Sequence, residues 1–228
     1  MKYYYYYNDV PGEGLSRNNL IYTSLMSEDN TTFVQWYHND TMYHAGQNQV
    51  IDPALMQEKF EREIKYLTLM YKKFPQHVPE IKDIDYNEKK IYLLVDGKDF
   101  WNRANCTTKN YDSVLPDWQE QIKEIVSAHR SLGLWKYSMH PSSFFVVGEK
   151  LKSINYFFTY EAKESNISIR DVESHIYSTR QEELKKYLTP LGIDWNTPQS
   201  WEILNTLCWE SFRTNYPNNF IEDVKCIN

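Results

Sequence analysis

Apolar and polar positions along this chain fall into blocks that predict short strands interleaved with longer helices. LIYTSLM and TTFVQWYH, separated by the turn-rich SEDN, read as two strands. EIKDID and KIYLLVD read as two more, meeting at the turn Tyr86-Asn87-Glu88. Between the pairs, Leu55, Phe60, Ile64, Leu67 and Tyr71 recur at helical spacing behind Asp52-Pro53, where Asp can cap free N–H groups and Pro suits a first turn. A second helix opens at Pro116, with Trp118, Ile122, Ile125, Val126, His129 and Leu132 on its apolar face and Gly133 at its end. Residues 134 to 160 then give a tight loop, SMHPSS, and two apolar runs, FFVV and LKSINYFF, joined at Gly148 by hairpin chemistry. Beyond residue 160, the intermittent stripe Val172, Ile176, Leu184, Tyr187, Leu188 and Leu191, closed by Gly192, predicts another helix. Trp201, Leu204, Cys208 and Phe212, behind Thr197-Pro198, predict a last one.

Composition narrows the classes. The 228 residues suffice for a full core in one domain or in two lobes sharing a hinge. Aromatics make up 16% of the chain, with 19 Tyr against 7 Gly, so rings either fill the core or supply a contact surface. The tyrosine run 3 to 7 reads as an edge strand or as an arm that docks on a partner. A net charge of -6 speaks against broad nucleic-acid binding, which needs a basic face. No run reaches the ~18 to 20 apolar residues of a membrane span, and MKYYYYYNDV carries no apolar signal core, so neither membrane association nor signal-peptide secretion is expected. The odd, scattered Cys106, Cys208 and Cys226 fit reduced thiols.

Residues 134 to 160 resemble the catalytic loop and metal-binding strand of the protein-kinase-like fold, in the variant that reads H-x-D-L-H-P-x-N, a strand, a turn, then a strand ending in D-F-G. AHRSLGL resembles the helix before that loop, and FEREIKYL the helix whose Glu pairs with a strand lysine. The resemblance implies an α+β, two-lobed protein-kinase-like fold. Its small, mostly antiparallel β lobe with one helix would cover residues 1–96, and a shortened helical lobe residues 97–228, together one compact kinase-like unit. It places Ser138 where the catalytic Asp belongs, Ser143 where the metal-binding Asn belongs, Asn155 at the Asp of D-F-G and Gln35 at the phosphate-holding lysine. Glu63 matches the helix Glu, and with the hinge-like Asp96-Gly97 it would be the remnant of a nucleotide pocket. No A-P-E segment follows.

Ser138, Ser143 and Asn155 are neutral, so none supplies the charge that Mg favours. The expectation is therefore a chain that is no enzyme, a pseudokinase that needs no cofactor and docks on a protein partner through the tyrosine arm or exposed members of YFFTY. The alternatives are an atypical kinase or nucleotide-binding protein that takes ATP and Mg, and a virion structural or assembly protein. The Asn- and Tyr-rich texture, with SMHPSSFFV and LKSINYFF, resembles uncharacterised proteins of large tailed bacteriophages, particularly those infecting cyanobacteria. That resemblance implies the host cytoplasm or the virion as location and an action on a host factor. Competing chemistry is weaker. Gly12-Glu13-Gly14 is a lone G-x-G, Ser138 and His140 have no orienting acid placed by spacing, and His38 and His44 have no metal-closing spacing.

Overall fold

The runs at residues 22 to 38 and 81 to 94 fold as strands because β-branched and aromatic side chains suit a half-buried pleated surface, and turn residues bound them. The computed structural model describes residues 1–6, 22–38, 53–104, 111–136 and 141–161. Tyr3–Tyr5 (β1), Thr23–Ser27 (β2), Thr32–Trp36 (β3), Ile81–Asp85 (β4) and Lys90–Leu94 (β5) form one antiparallel sheet in the order β1-β2-β3-β5-β4. The tyrosine run thus supplies an edge strand, in register with β2 through Tyr3 opposite Ser27 and Tyr5 opposite Leu25. SEDN makes the β2–β3 turn: the Thr31 amide donates to Ser27 Oγ and Asp29 Oδ1, and Asn30 takes a left-handed φ of 57°.

β3 and β4 run parallel with β5 between them, so no tight hairpin can join them. The helix α1 (Pro53–Lys73) lies in that connection. Its buried side chains are Met56, Lys59, Phe60, Glu63, Tyr66, Leu67 and Met70, whereas Ile64 and Tyr71 are only half-buried. The stripe expected from apolar spacing is therefore rotated by about one residue. The cause is that two charged side chains, Lys59 and Glu63, face inward, and hydrophobic spacing cannot register them. Glu63, which matches the helix Glu of the resemblance, is fully buried.

The short helix α2 (Phe100–Arg103) is capped by the Asp99 side chain, which accepts from the Asn102 amide. The helix α3 (Trp118–Ser131) begins after a turn in which the Val114 and Leu115 amides donate to Tyr111 O, and it ends at Gly133 with φ 67°. Trp118, Ile122, Ile125, Val126 and His129 are buried as their spacing predicts, so His129 is a core histidine.

Phe144–Val147 (β7) and Lys150–Ser153 (β8) form the hairpin expected at Gly148, whose φ is 62°. LKSINYFF is not one strand, however: β8 stops at Ser153 and residues 156 to 158 make a 3-10 turn. Gln121 of α3 fastens the hairpin. Its Nε2 donates to Glu149 O at 3.0 Å and its Oε1 accepts from the Leu151 amide at 2.8 Å. Gln121→Ala leaves the buried Leu151 N–H without an acceptor and is expected to cost about 2 kcal/mol in urea unfolding. A loss below about 0.5 kcal/mol would show that the hairpin holds without this bond.

The chain divides into two units, residues 1–125 with 141–158, and residues 126–140 with 159–228. Asp96-Gly97 lies inside the first. In the second, Leu134–Lys136 (β6) pairs antiparallel with Thr159–Glu161 (β9), and the Arg130 guanidinium stacks 3.3 Å from the centre of the Trp135 ring. The helices expected over 172 to 191 and 197 to 212 lie outside the described residues, as do Asp52, Ser138, His140 and Gly12 to Gly14. What the described residues establish is a mixed α and β architecture with an antiparallel sheet and few helices. Among them, no helix is long and apolar enough to cross a membrane.

Candidate functional site: a buried amide hub

Phe33, Gln35 and Tyr37 occupy alternate positions on β3 and its continuation, so they share one face, and all three are buried. Beneath that face the chain leaves β8 and passes through Asn155, which adopts φ 69°, a left-handed conformation that Asn tolerates better than most residues. Asn155 is the hub of the site. Its Oδ1 accepts from Gln35 Nε2 at 3.1 Å and from the Tyr22 hydroxyl at 2.6 Å. Its Nδ2 donates to Ser143 Oγ at 2.8 Å.

The backbone around the hub is gripped by α1. Glu63 Oε1 accepts the Asn155 amide at 3.1 Å and Oε2 accepts the Phe157 amide at 2.7 Å. One carboxylate thus satisfies two buried main-chain donors, which is how a fully buried acid becomes tolerable. Tyr22, Tyr37 and Tyr156 surround it. Burial first, and then the negative charge of Glu63, push all three phenols well above their usual range, so they remain neutral.

Three of the neutral groups placed by sequence, Gln35, Ser143 and Asn155, therefore meet, together with Glu63. Asp96 and Gly97 do not join them. Gly97 donates to Asn30 O at 2.9 Å, and Asp96 O accepts from Arg103 Nη1 at 3.4 Å, so these residues tie the segment after β5 to the β2–β3 turn and to α2. Gln35 bonds the Asn155 side chain, while Glu63 bonds the main chain around it. Tyr22 and Tyr37 were missed. The alternation Phe33, Gln35, Tyr37 could have marked Tyr37, but nothing local marks Tyr22.

The interior beside the hub is filled by aromatic rings. Phe33 lies 5.0 Å from Phe145, 5.7 Å from Tyr6 and 6.4 Å from Tyr22, measured between ring centres. Tyr22 and Tyr37 both pack on Phe157, at 5.9 and 6.4 Å. Most of these rings serve the core. In particular, Tyr156 and Phe157 are buried, so YFFTY does not present them as a docking surface.

Both acceptor positions of Asn155 Oδ1 are taken, its Nδ2 donates to Ser143 Oγ, and Phe33 packs on Phe145 between β3 and β7. Among the described residues, no three His, Cys, Asp or Glu side chains cluster to hold a metal ion.

No protein-family model and no curated protein matches the chain. Two solved structures of WbdD resemble it. One, of WbdD as a bifunctional kinase-methyltransferase, is 12% identical with a TM-score of 0.49, covering 100% of this chain and 50% of that one. The other, a 2.2 Å crystal structure, is 11% identical with a TM-score of 0.49, covering 91% of this chain and 47% of that one. The chain thus spans about half the length of these structures. The expectation of a chain that is no enzyme is corrected to this extent: the solved structures that resemble it are of WbdD, described as a bifunctional kinase-methyltransferase.

Proposed function

We propose that the chain is a binding module of protein-kinase-like fold that acts by docking on a protein partner. The sheet order, the helix between β3 and β4, and the reach of Glu63 to the segment after the β7–β8 hairpin all support the fold part of this reading. The observation that carries the rest is the contact of β3 with the hairpin and the residues after it. Gln35 on Asn155 and Phe33 on Phe145 use for cohesion the interior that a nucleotide would occupy.

The test is thermal unfolding with and without millimolar ATP and Mg, followed by affinity capture from the native host. A ligand that favours the folded state at about 100 times its Kd adds about 2.7 kcal/mol, several degrees in Tm. No shift is expected. A shift of several degrees would replace this reading with that of a nucleotide-binding kinase, and the failure of any protein to be retained at physiological salt would remove its docking part.

A further inference from the structure

Lys72 and Lys73 stand on the last turn of α1, and Phe74 leads directly into the 3-10 turn Pro75–His77. β8 packs against that turn. Lys150 and Lys152 are two apart on β8, so they share a face of the strand. Lys152 Nζ donates to Pro75 O at 2.7 Å, which turns that face toward the end of α1. Lys73 lies two residues before Pro75, so their Cα atoms are at most about 7.5 Å apart and the four lysines belong to one patch.

Lys72, Lys73 and Lys150 are exposed, and Lys152 is half-buried. None of the four forms an ion pair among the described residues, whereas Lys90 and Lys123 each hold a carboxylate. The like charges act on one another. Burial first, and then Lys150, lower the Lys152 ammonium. His77, whose ring lies 6.2 Å from that of Phe74, is lowered by burial and by both β8 lysines, with Glu124 of α3 opposing them. The helix dipole accounts for Lys72 and Lys73, because cations are favourable beside the free carbonyls at a helix C-terminus. It does not account for Lys150 and Lys152, which belong to another element. On a chain of net charge -6, the patch gathers positive charge that the fold leaves uncompensated. An anion brought to it relieves that repulsion.

We propose that the end of α1, the turn Pro75–His77 and β8 form a docking surface for a short acidic protein segment, whose Asp and Glu carboxylates pair with Lys72, Lys73, Lys150 and Lys152. The proposal rests on the docking reading above and specifies the partner's charge. A segment of a few residues matches the extent of the patch, because its three elements are adjacent. A nucleic acid would run past the lysines onto a chain that is acidic in balance, and Phe74, the ring within the patch, is half-buried rather than presented for stacking.

Fluorescence anisotropy of a labelled oligoglutamate peptide titrated with the full chain tests this. Binding is expected to weaken about tenfold between ~50 and ~200 mM salt. Lys150→Gln with Lys152→Gln, and separately Lys72→Gln with Lys73→Gln, should each weaken it at least about fivefold. The second pair is exposed and makes no bond to Pro75, so it keeps the test valid if the first pair disturbs the fold. Lys2→Gln with Lys98→Gln removes the same charge from exposed lysines elsewhere and should change binding less than about twofold. No binding at ~50 mM salt, an equal loss in the Lys2 and Lys98 variant, or tighter binding of a single-stranded oligonucleotide of the same charge would each overturn the surface. Capture from the native host separates the two readings. A protein retained equally by the native chain and by both patch variants would sink this surface and leave docking in place, whereas no protein retained by any of them would end both.

Discussion

Glu63→Ala is expected to destabilise the first unit by about 4 kcal/mol, roughly 10 °C in Tm for a chain of this size. Two effects add. The substitution orphans the buried amides of Asn155 and Phe157, and it leaves a void among Tyr22, Tyr37 and Tyr156. Glu63→Gln separates them, since it keeps the volume and one acceptor oxygen while setting an NH2 against the other amide. It should cost about half as much. Thermal and urea unfolding measure both. A loss under about 1 kcal/mol for the alanine variant would mean that water replaces the carboxylate, and that Glu63 does not hold the segment after β8 on α1.

Phe145→Ala is expected to cost about 4 kcal/mol, because a fully buried ring between β7 and β3 is deleted and the close-packed surroundings relax only in part. Phe145→Leu should cost under about 1.5 kcal/mol if burial is the main contribution. The ring pairing with Phe33 can be measured on its own. A double-mutant cycle with Phe33→Leu is expected to return a coupling of about 1 kcal/mol. A coupling near zero would mean that the two rings are merely neighbours, and the view that β3 and the hairpin cohere through them would fall.

Both variants probe contacts whose participants were only partly legible in the sequence. Ser143, Asn155, Gln35 and Glu63 could be named beforehand because the resemblance to the protein-kinase-like frame assigned each a position on a strand or helix whose own signal is local. That Asn155 would be their hub could not. The geometry depends on its left-handed backbone, and on a donor from Tyr22, 133 residues away in the chain. The hydrogen bond from the Tyr6 hydroxyl to the buried Asp99 carboxyl, 93 residues away, was hidden for the same reason. Asp99 before an apolar pair signals a helix cap, but nothing near either residue signals the other.

Three features follow from the sequence by itself: the β2–β3 and β7–β8 turns, the two helices that open near proline, and the presence of four strand runs. Each rests on interactions within a few residues, where periodicity and backbone preference act directly. Three others were decided only by the tertiary structure. The inward face of α1 was set by Glu63 and Lys59, the tyrosine run became an edge strand closed by Tyr6, and neutral side chains came to bond one another beneath β3. Burying a charge or an amide is favourable only where partners from distant segments satisfy it, and spacing along the chain does not record where those partners arrive.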